Sequence, residues 1–155
     1  PERVYRSVCI KAEVVSGDER EGGRRAILNY GHTLAHALEI AGTFDLRHGE
    51  AVGIGLPFAA HLAHGLERID RQRVAEHYRV LRAYGLDDRL PEGVQVEELL
   101  ELMARDKKAL RGLTFVLERA AADGGFEVEV VDDIDPGRVR AAFTAMADWA
   151  AEDRA

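Results

Sequence analysis

The segment AVGIGLPFAAHLAHGL, residues 51–66, contains no charged residue and constrains the fold more than any other part of the chain. Surface helices carry a polar face, so a helix that is apolar on nearly every side must be surrounded by other elements. We therefore predict a helical domain with this segment at its centre. Gly53 and Gly55 lie within it, and glycines in a buried helix indicate close approach of another backbone or of a ligand.

Helical periodicity predicts further elements around this segment. Four of these helices are expected at residues 1–15, 24–40, 71–85 and 96–112. A last helix begins at the Asp135–Pro136 cap signal. Two β-rich runs, 113–120 and 126–131, flank Asp123-Gly124-Gly125 and predict a hairpin. The fold class is thus mainly α with a small β-hairpin, and 155 residues with 46% hydrophobic content suffice for a single domain.

Charge and composition exclude several classes of protein. A net charge of -7 argues against a general nucleic-acid binder, which carries a basic face. No apolar run reaches the roughly 18 residues of a membrane span. The single Cys9 excludes an intrachain disulfide framework and fits a reducing compartment. We therefore expect a cytoplasmic protein that binds neither nucleic acid nor membrane.

The segment RRAILNYGHTLAHALE, residues 24–39, carries a stripe of polar side chains between apolar ones. In a helix with 100° per residue, four of these side chains fall within roughly 60° of one another. They are Arg25, Asn29, His32 and His36. An unpaired buried polar group costs roughly 1–3 kcal/mol, so a core helix does not carry such a stripe without partners. The stripe predicts a helix face that lines a cleft.

Three histidines near this stripe predict a metal site. Imidazoles at i and i+4 point the same way, and imidazole suits zinc and neighbouring metals. We predict that His32 binds a divalent metal, while His36 either joins it or handles protons. His48 follows in a loop that leads into the apolar helix, a usual position for a functional side chain. Glu50 either orients the His48 ring or places a favourable charge in the first helical turn.

The chain resembles the C-terminal domain of 3-dehydroquinate synthases in four stretches. These are KAEVVSGDEREGGRRAILNYGHTLAHALE, HGEAVGIG, RDKKALRG and LTFVL. The spacing K-x9-E-x3-R-x3-N-x2-H-x3-H-x11-H is the specific part, and the likeness covers nearly the whole chain. It implies the helical C-terminal domain of the dehydroquinate synthase-like fold, here residues 1–155. The N-terminal NAD-binding domain of such an enzyme lies outside this chain, so the isolated segment is expected to be inactive.

The resemblance also implies an activity and its cofactors. The family converts 3-deoxy-D-arabino-heptulosonate 7-phosphate to 3-dehydroquinate and phosphate, in the shikimate pathway of aromatic amino acid biosynthesis. This makes it a carbon–oxygen lyase that uses NAD and a divalent metal, zinc or cobalt. The partners expected for this chain are the sugar phosphate, its own N-terminal domain and, in a homodimer, a second copy.

Individual roles follow from the same resemblance. His32 and His48 match metal-binding histidines next to the substrate, and the third ligand of the family, a glutamate, precedes Pro1. His36 and Glu21 match catalytic acid–base positions. The substrate-binding positions that match are Lys11, Arg25, Asn29 and one lysine of the pair at 107 and 108, of which we favour Lys108.

Three alternatives remain open at this point. Related sugar-phosphate cyclases share the scaffold and act on other phosphates. Iron-dependent alcohol and glycerol dehydrogenases also hold a metal through HxxxH and a later histidine, but they have less need for Lys11, Arg25 and the lysine pair. A helical interaction module with a structural metal is disfavoured, because structural zinc is normally closed by four protein ligands, often cysteines, and Cys9 is the only thiol.

Overall fold

The computed structural model describes residues 2–16, 24–42, 45–105 and 112–153. Six α-helices, one 3₁₀ helix and a two-stranded antiparallel sheet are found within these residues. In chain order they are α1 (Glu2–Ser16), the 3₁₀ helix (Arg24–Asn29), α2 (His32–Ala41), α3 (His48–Gly65), α4 (Arg71–Ala83), α5 (Val96–Arg105), β1 (Leu113–Ala120), β2 (Phe126–Ile134) and α6 (Pro136–Glu152).

The apolar helix α3 lies at the centre of the fold, as its composition predicts. It packs against α2, α4, α6 and β1. The Phe58 ring of α3 contacts the rings of Phe115 on β1 and Phe143 on α6, at centroid distances of 6.0 and 4.5 Å. All three phenylalanines are buried, so burial of apolar surface holds these elements together.

The hairpin and the last helix also match the sequence prediction. β1 pairs with β2 in an antiparallel register that runs from Ala120–Phe126, next to the turn, to Leu113–Ile134 at the open end of the hairpin. α6 begins one residue after Asp135, whose carboxylate accepts a 2.7 Å hydrogen bond from the Gly137 amide. These elements are predictable because their signals, turn residues and a helix cap, are local.

The predicted helix over residues 24–40 is wrong in one respect, because the chain forms two separate helices there. Residues 24–29 form a 3₁₀ helix, and the Tyr30 amide bonds the Ile27 carbonyl at 3.2 Å. Gly31 then adopts a left-handed φ of +80°, which an α-helix cannot contain, and α2 begins at His32. Arg25 and Asn29 therefore do not share a helix face with His32 and His36.

α1 is mostly exposed, and only part of the predicted fifth helix is described. In α1 only Val14 is buried, while Val4, Tyr5 and Val8 are exposed. α5 ends at Arg105, so the part of the predicted helix beyond it, residues 106–111, lies outside the described residues. None of the described helices has the length and apolar content needed to cross a bilayer.

Candidate active site

Four of the predicted site residues line one cavity. Lys11 of α1, Arg25 and Asn29 of the 3₁₀ helix and His32 of α2 border a space of about 450 Å³. These residues lie close together although they are not on one helix. The 3₁₀ helix packs against α1 and leads directly into α2, which places side chains from all three elements around the cavity. A cavity with two cationic side chains, an amide and an imidazole in its wall is suited to a small, anionic, oxygen-rich ligand.

One ring nitrogen of His32 is already engaged by the backbone. His32 Nδ1 lies 3.1 Å from the Tyr30 carbonyl oxygen. Since a carbonyl only accepts, Nδ1 carries the hydrogen and donates it. The lone pair is therefore on Nε2, which is the tautomer that a metal ligand needs.

His48 is held in the same way, but by a residue that the sequence did not suggest. Its Nδ1 donates to the carboxylate of Glu39 on α2, at 3.1 Å from Oε1. Glu50 instead accepts a 2.8 Å hydrogen bond from the Arg47 amide, so of its two interpretations the one at the helix N-terminus is supported. Glu39 stands at i+7 from His32 and i+3 from His36, a helical spacing that could have pointed to it.

The three histidine rings form a cluster at the junction of α2 and α3. The His32 and His48 centroids are 5.3 Å apart, and the His36 ring lies 5.7 Å from the first and 6.3 Å from the second. Two imidazoles bound to one tetrahedral ion at about 2.0–2.1 Å have centroids about 5 Å apart. The His32–His48 pair thus fits a shared divalent metal in spacing and in tautomer.

The pair is not a complete metal site by itself. Among residues 2–16, 24–42, 45–105 and 112–153, no three His, Cys, Asp or Glu side chains converge as a metal-binding group. His48 is also largely exposed, with 58% of its side chain accessible. A catalytic zinc site normally has three protein ligands, so two histidines require a further ligand from elsewhere.

Behind the site, a buried polar network anchors Tyr30. His77 Nδ1 donates to the Arg73 carbonyl at 2.8 Å, so its Nε2 accepts from the Tyr30 hydroxyl at 2.9 Å. Burial lowers the pKa of His77 and raises that of Tyr30, which keeps both groups neutral. The His77 side chain is only 10% exposed and lies near the Glu118 carboxylate, so it belongs to the buried part of the fold.

Three predicted residues cannot be placed. Glu21, Lys107 and Lys108 lie outside the described residues. Their roles remain those that the resemblance implies.

Glu39→Gln is expected to weaken metal binding by about 10- to 100-fold, because an uncharged amide oxygen is a weaker acceptor for the His48 Nδ1 hydrogen than a carboxylate and orients the ring less firmly. Cobalt titration of the purified protein measures this. Glu50→Gln is the matched control, since that carboxylate bonds a backbone amide rather than a histidine. Equal cobalt affinities of the two variants would contradict the role of Glu39.

The sequence and the fold were compared with known proteins. A family model described as 3-dehydroquinate synthase C-terminal matches residues 1–109. A putative aminodehydroquinate synthase of Amycolatopsis mediterranei (strain S699) is 52% identical over 134 residues, covering 86% of this chain and 37% of that protein. The 3-dehydroquinate synthase of Mycobacterium leprae (strain TN) is 43% identical over 152 residues, covering 94% of this chain and 39% of that protein.

A solved structure shows the same fold. It is a 2-epi-5-epi-valiolone synthase from Streptomyces hygroscopicus subsp. jinggangensis 5008 with NAD+ and Zn2+ bound. The superposition has a TM-score of 0.74 at 22% sequence identity and covers 93% of this chain and 39% of the synthase chain. The class defined by fold and site is therefore the helical domain of the dehydroquinate synthase-like fold. Within that class, the chain belongs to the 3-dehydroquinate synthase family. It spans about two fifths of the length of the curated relatives it matches.

Proposed function

We propose that this chain is the metal- and substrate-binding domain of a 3-dehydroquinate synthase, a lyase that forms 3-dehydroquinate and phosphate from 3-deoxy-D-arabino-heptulosonate 7-phosphate. The observation that carries the proposal is the cavity shared by Lys11, Arg25, Asn29 and His32. It combines groups that bind a carboxylate and a phosphate with the imidazole of a candidate metal ligand. Family membership favours this reading over an iron-dependent dehydrogenase.

The proposed cofactors are NAD and a divalent metal, zinc or cobalt. His32 and His48 would hold the metal, and the remaining ligand and the NAD site belong to the N-terminal domain. When bound, the metal supplies a Lewis acid for an oxygen of the substrate. The tautomers set by Tyr30 and Glu39 support this assignment, because both leave Nε2 as the nitrogen with a lone pair.

Different residues of this chain bind the substrate and transfer protons. Lys11 and Arg25 hold the two anionic ends of the substrate, and the guanidinium can bind one of them through two parallel hydrogen bonds. Asn29 donates to and accepts from hydroxyl groups. His36, exposed beside His32, holds or moves a proton at its ring nitrogens, as the resemblance also implies for Glu21. Lys108 completes the proposed anion-binding set.

A second substrate is favoured by one specific observation. A relative that is 52% identical over 134 residues is described as a putative aminodehydroquinate synthase. The same reaction on an amino analogue of the heptulosonate phosphate is therefore the alternative. The other cyclase substrates, sedoheptulose 7-phosphate and glucose 6-phosphate, serve as further comparisons.

Phosphate release tests the proposal. The chain joined to its N-terminal domain is supplied with NAD and cobalt or zinc, and each of the four phosphates is offered separately. Release from the heptulosonate phosphate supports 3-dehydroquinate synthase, and release only from the amino analogue supports the alternative. Release from neither would overturn both. The isolated 155 residues are expected to release none, and the proposed homodimer is checked by light scattering of the complete protein.

A further inference from the structure

The backbone of α3 touches the turn that precedes His32. A Cβ placed on Gly55 would stand 2.0 Å from the Gly31 carbonyl oxygen and 3.0 Å from its carbonyl carbon. Real carbon and oxygen atoms do not approach so closely, so only glycine fits at position 55. The Gly31 carbonyl therefore rests directly on the main chain of α3.

Gly31 is confined by the same helix on a second flank. A Cβ placed on Gly31 would lie 3.1 Å from both Cδ2 and the amide nitrogen of Leu56, and its φ of +80° also favours glycine. The Gly31 carbonyl oxygen additionally accepts from the Ala35 amide at 3.4 Å, which is the first hydrogen bond of α2. The position of the Gly31 carbonyl therefore fixes the position of the first turn of α2.

Both histidines of the candidate metal pair are rigidly connected to this contact. His32 follows Gly31 directly, and its ring is fixed by the Tyr30 carbonyl. His48 is the first residue of α3, seven residues before Gly55, which is two helical turns or about 10.5 Å along one rigid element. The Gly31–Gly55 contact joins the element that carries one ring to the element that carries the other.

We propose that the contact of Gly31 with Gly55 and Leu56 sets the separation of His32 and His48, and that Gly31 and Gly55 are therefore positioning residues for the metal. This inference rests on the proposed function, in which the two histidines bind the ion. A methyl group at position 55 must push the two backbones apart by about 1 Å, since close-packed interiors transmit such strain rather than absorb it. Metal–ligand distances tolerate only about 0.2 Å.

The test measures metal affinity rather than turnover. Gly55→Ala is prepared in the chain joined to its N-terminal domain and titrated with cobalt, followed by the visible absorption of the bound ion. We expect the Kd for cobalt to rise at least about tenfold, with a changed absorption spectrum at saturation. An unchanged Kd and spectrum in a folded Gly55→Ala protein would overturn the inference.

Gly53→Ala is the matched control. Gly53 lies in the same buried helix, and a Cβ there would crowd the Asp87 carbonyl at 3.1 Å without approaching Gly31. Both substitutions bring the same gain in helix propensity, so this contribution cancels. We expect the Gly53→Ala protein to keep its cobalt Kd within about twofold, because no atom near the histidines moves. Equal weakening in both variants would show a general effect of crowding α3 and would overturn the inference.

A second variant covers the case in which Gly55→Ala does not fold. Leu56→Ala removes the side chain that flanks Gly31 without adding volume, and it is expected to weaken cobalt binding by a smaller factor than Gly55→Ala. Cobalt binding as tight as in the unaltered protein would count against the contact as the element that sets the spacing.

The His48→Ala background separates positioning from general destabilisation. There Gly55→Ala is expected to have no further effect on cobalt affinity, because no second ring remains to be misplaced. An equal loss in both backgrounds would assign Gly55 a purely structural role. If the His32→Ala and His48→Ala proteins bind cobalt with the same Kd as the unaltered protein, the proposed function and this inference both fail. If only Gly55→Ala is without effect, the proposed function stands and the inference alone fails.

Discussion

His32→Ala is expected to lower kcat/KM of the proposed phosphate release by at least about a hundred- to a thousandfold, the range for loss of a group that stabilises developing charge. His32 is the one residue that belongs both to the cavity wall and to the histidine cluster. Its removal takes away one of two imidazoles that are 5.3 Å apart, together with the Nε2 that carries the lone pair in the tautomer selected by the Tyr30 contact. Phosphate release and metal content of the purified protein measure the two effects together.

His64→Ala is the control for this prediction. It removes the same side chain from α3, at a position where Nδ1 lies 2.9 Å from the Ile69 carbonyl and away from the cavity. Activity and metal content should therefore be retained. A His32→Ala enzyme that keeps its metal and its turnover would show that the ion is held elsewhere.

Arg73→Met is expected to reduce the free energy of unfolding by about 3–5 kcal/mol, the cost of leaving a buried charge without its partner. Glu118 on β1 is 5% exposed, and Arg73 of α4 binds both of its carboxylate oxygens, through Nε at 2.8 Å and Nη2 at 2.6 Å. Without the guanidinium, the carboxylate is left in the core beside His77. Urea denaturation, followed through the fluorescence of Trp149, the only tryptophan of the chain, measures the change.

Arg79→Met on the same helix is the matched control. Arg79 pairs with Glu76 three residues earlier, and its side chain is 69% exposed, so the loss of unfolding free energy should be far smaller than for Arg73→Met. The double variant Arg73→Met, Glu118→Leu should regain most of the stability, because it removes the buried charge together with its partner. Equal losses for Arg73→Met and Arg79→Met would show that water reaches Glu118 after the substitution.

The sequence predicts those parts of the fold whose causes are local. The central position of α3 follows from its lack of charge, and the start of α6 follows from Asp135 and Pro136, which are adjacent in the chain. The helix break at Gly31 has a long-range cause, because the Gly31 carbonyl packs against the backbone of Gly55, which is 24 residues later in the chain. No pattern within residues 24–40 records that contact.

The candidate site shows the same division. The proximity of Arg25, Asn29 and His32 follows from short spacings, and the structure gathers these residues around one cavity. The partner of His48 was missed because Glu39 reaches it across a loop, nine residues away in sequence. The burial of His77 is of the same kind, because Tyr30 and Glu118, which enclose it, lie 47 and 41 residues away in sequence. Such long-range burial cannot be derived from periodicity.

The break at Gly31 separates two tasks that one continuous helix would have coupled. Arg25 and Asn29 lie on the 3₁₀ helix, which contacts α1, β1 and β2, whereas His32 and His36 lie on α2, which packs mainly against α3 and α5 and also contacts β1. A change in α1 can therefore shift the proposed anion-binding side chains while the histidine cluster stays in register with α3. In the proposed function, substrate preference can then change through the contacts with α1 while the two candidate metal ligands keep their places on α2 and α3.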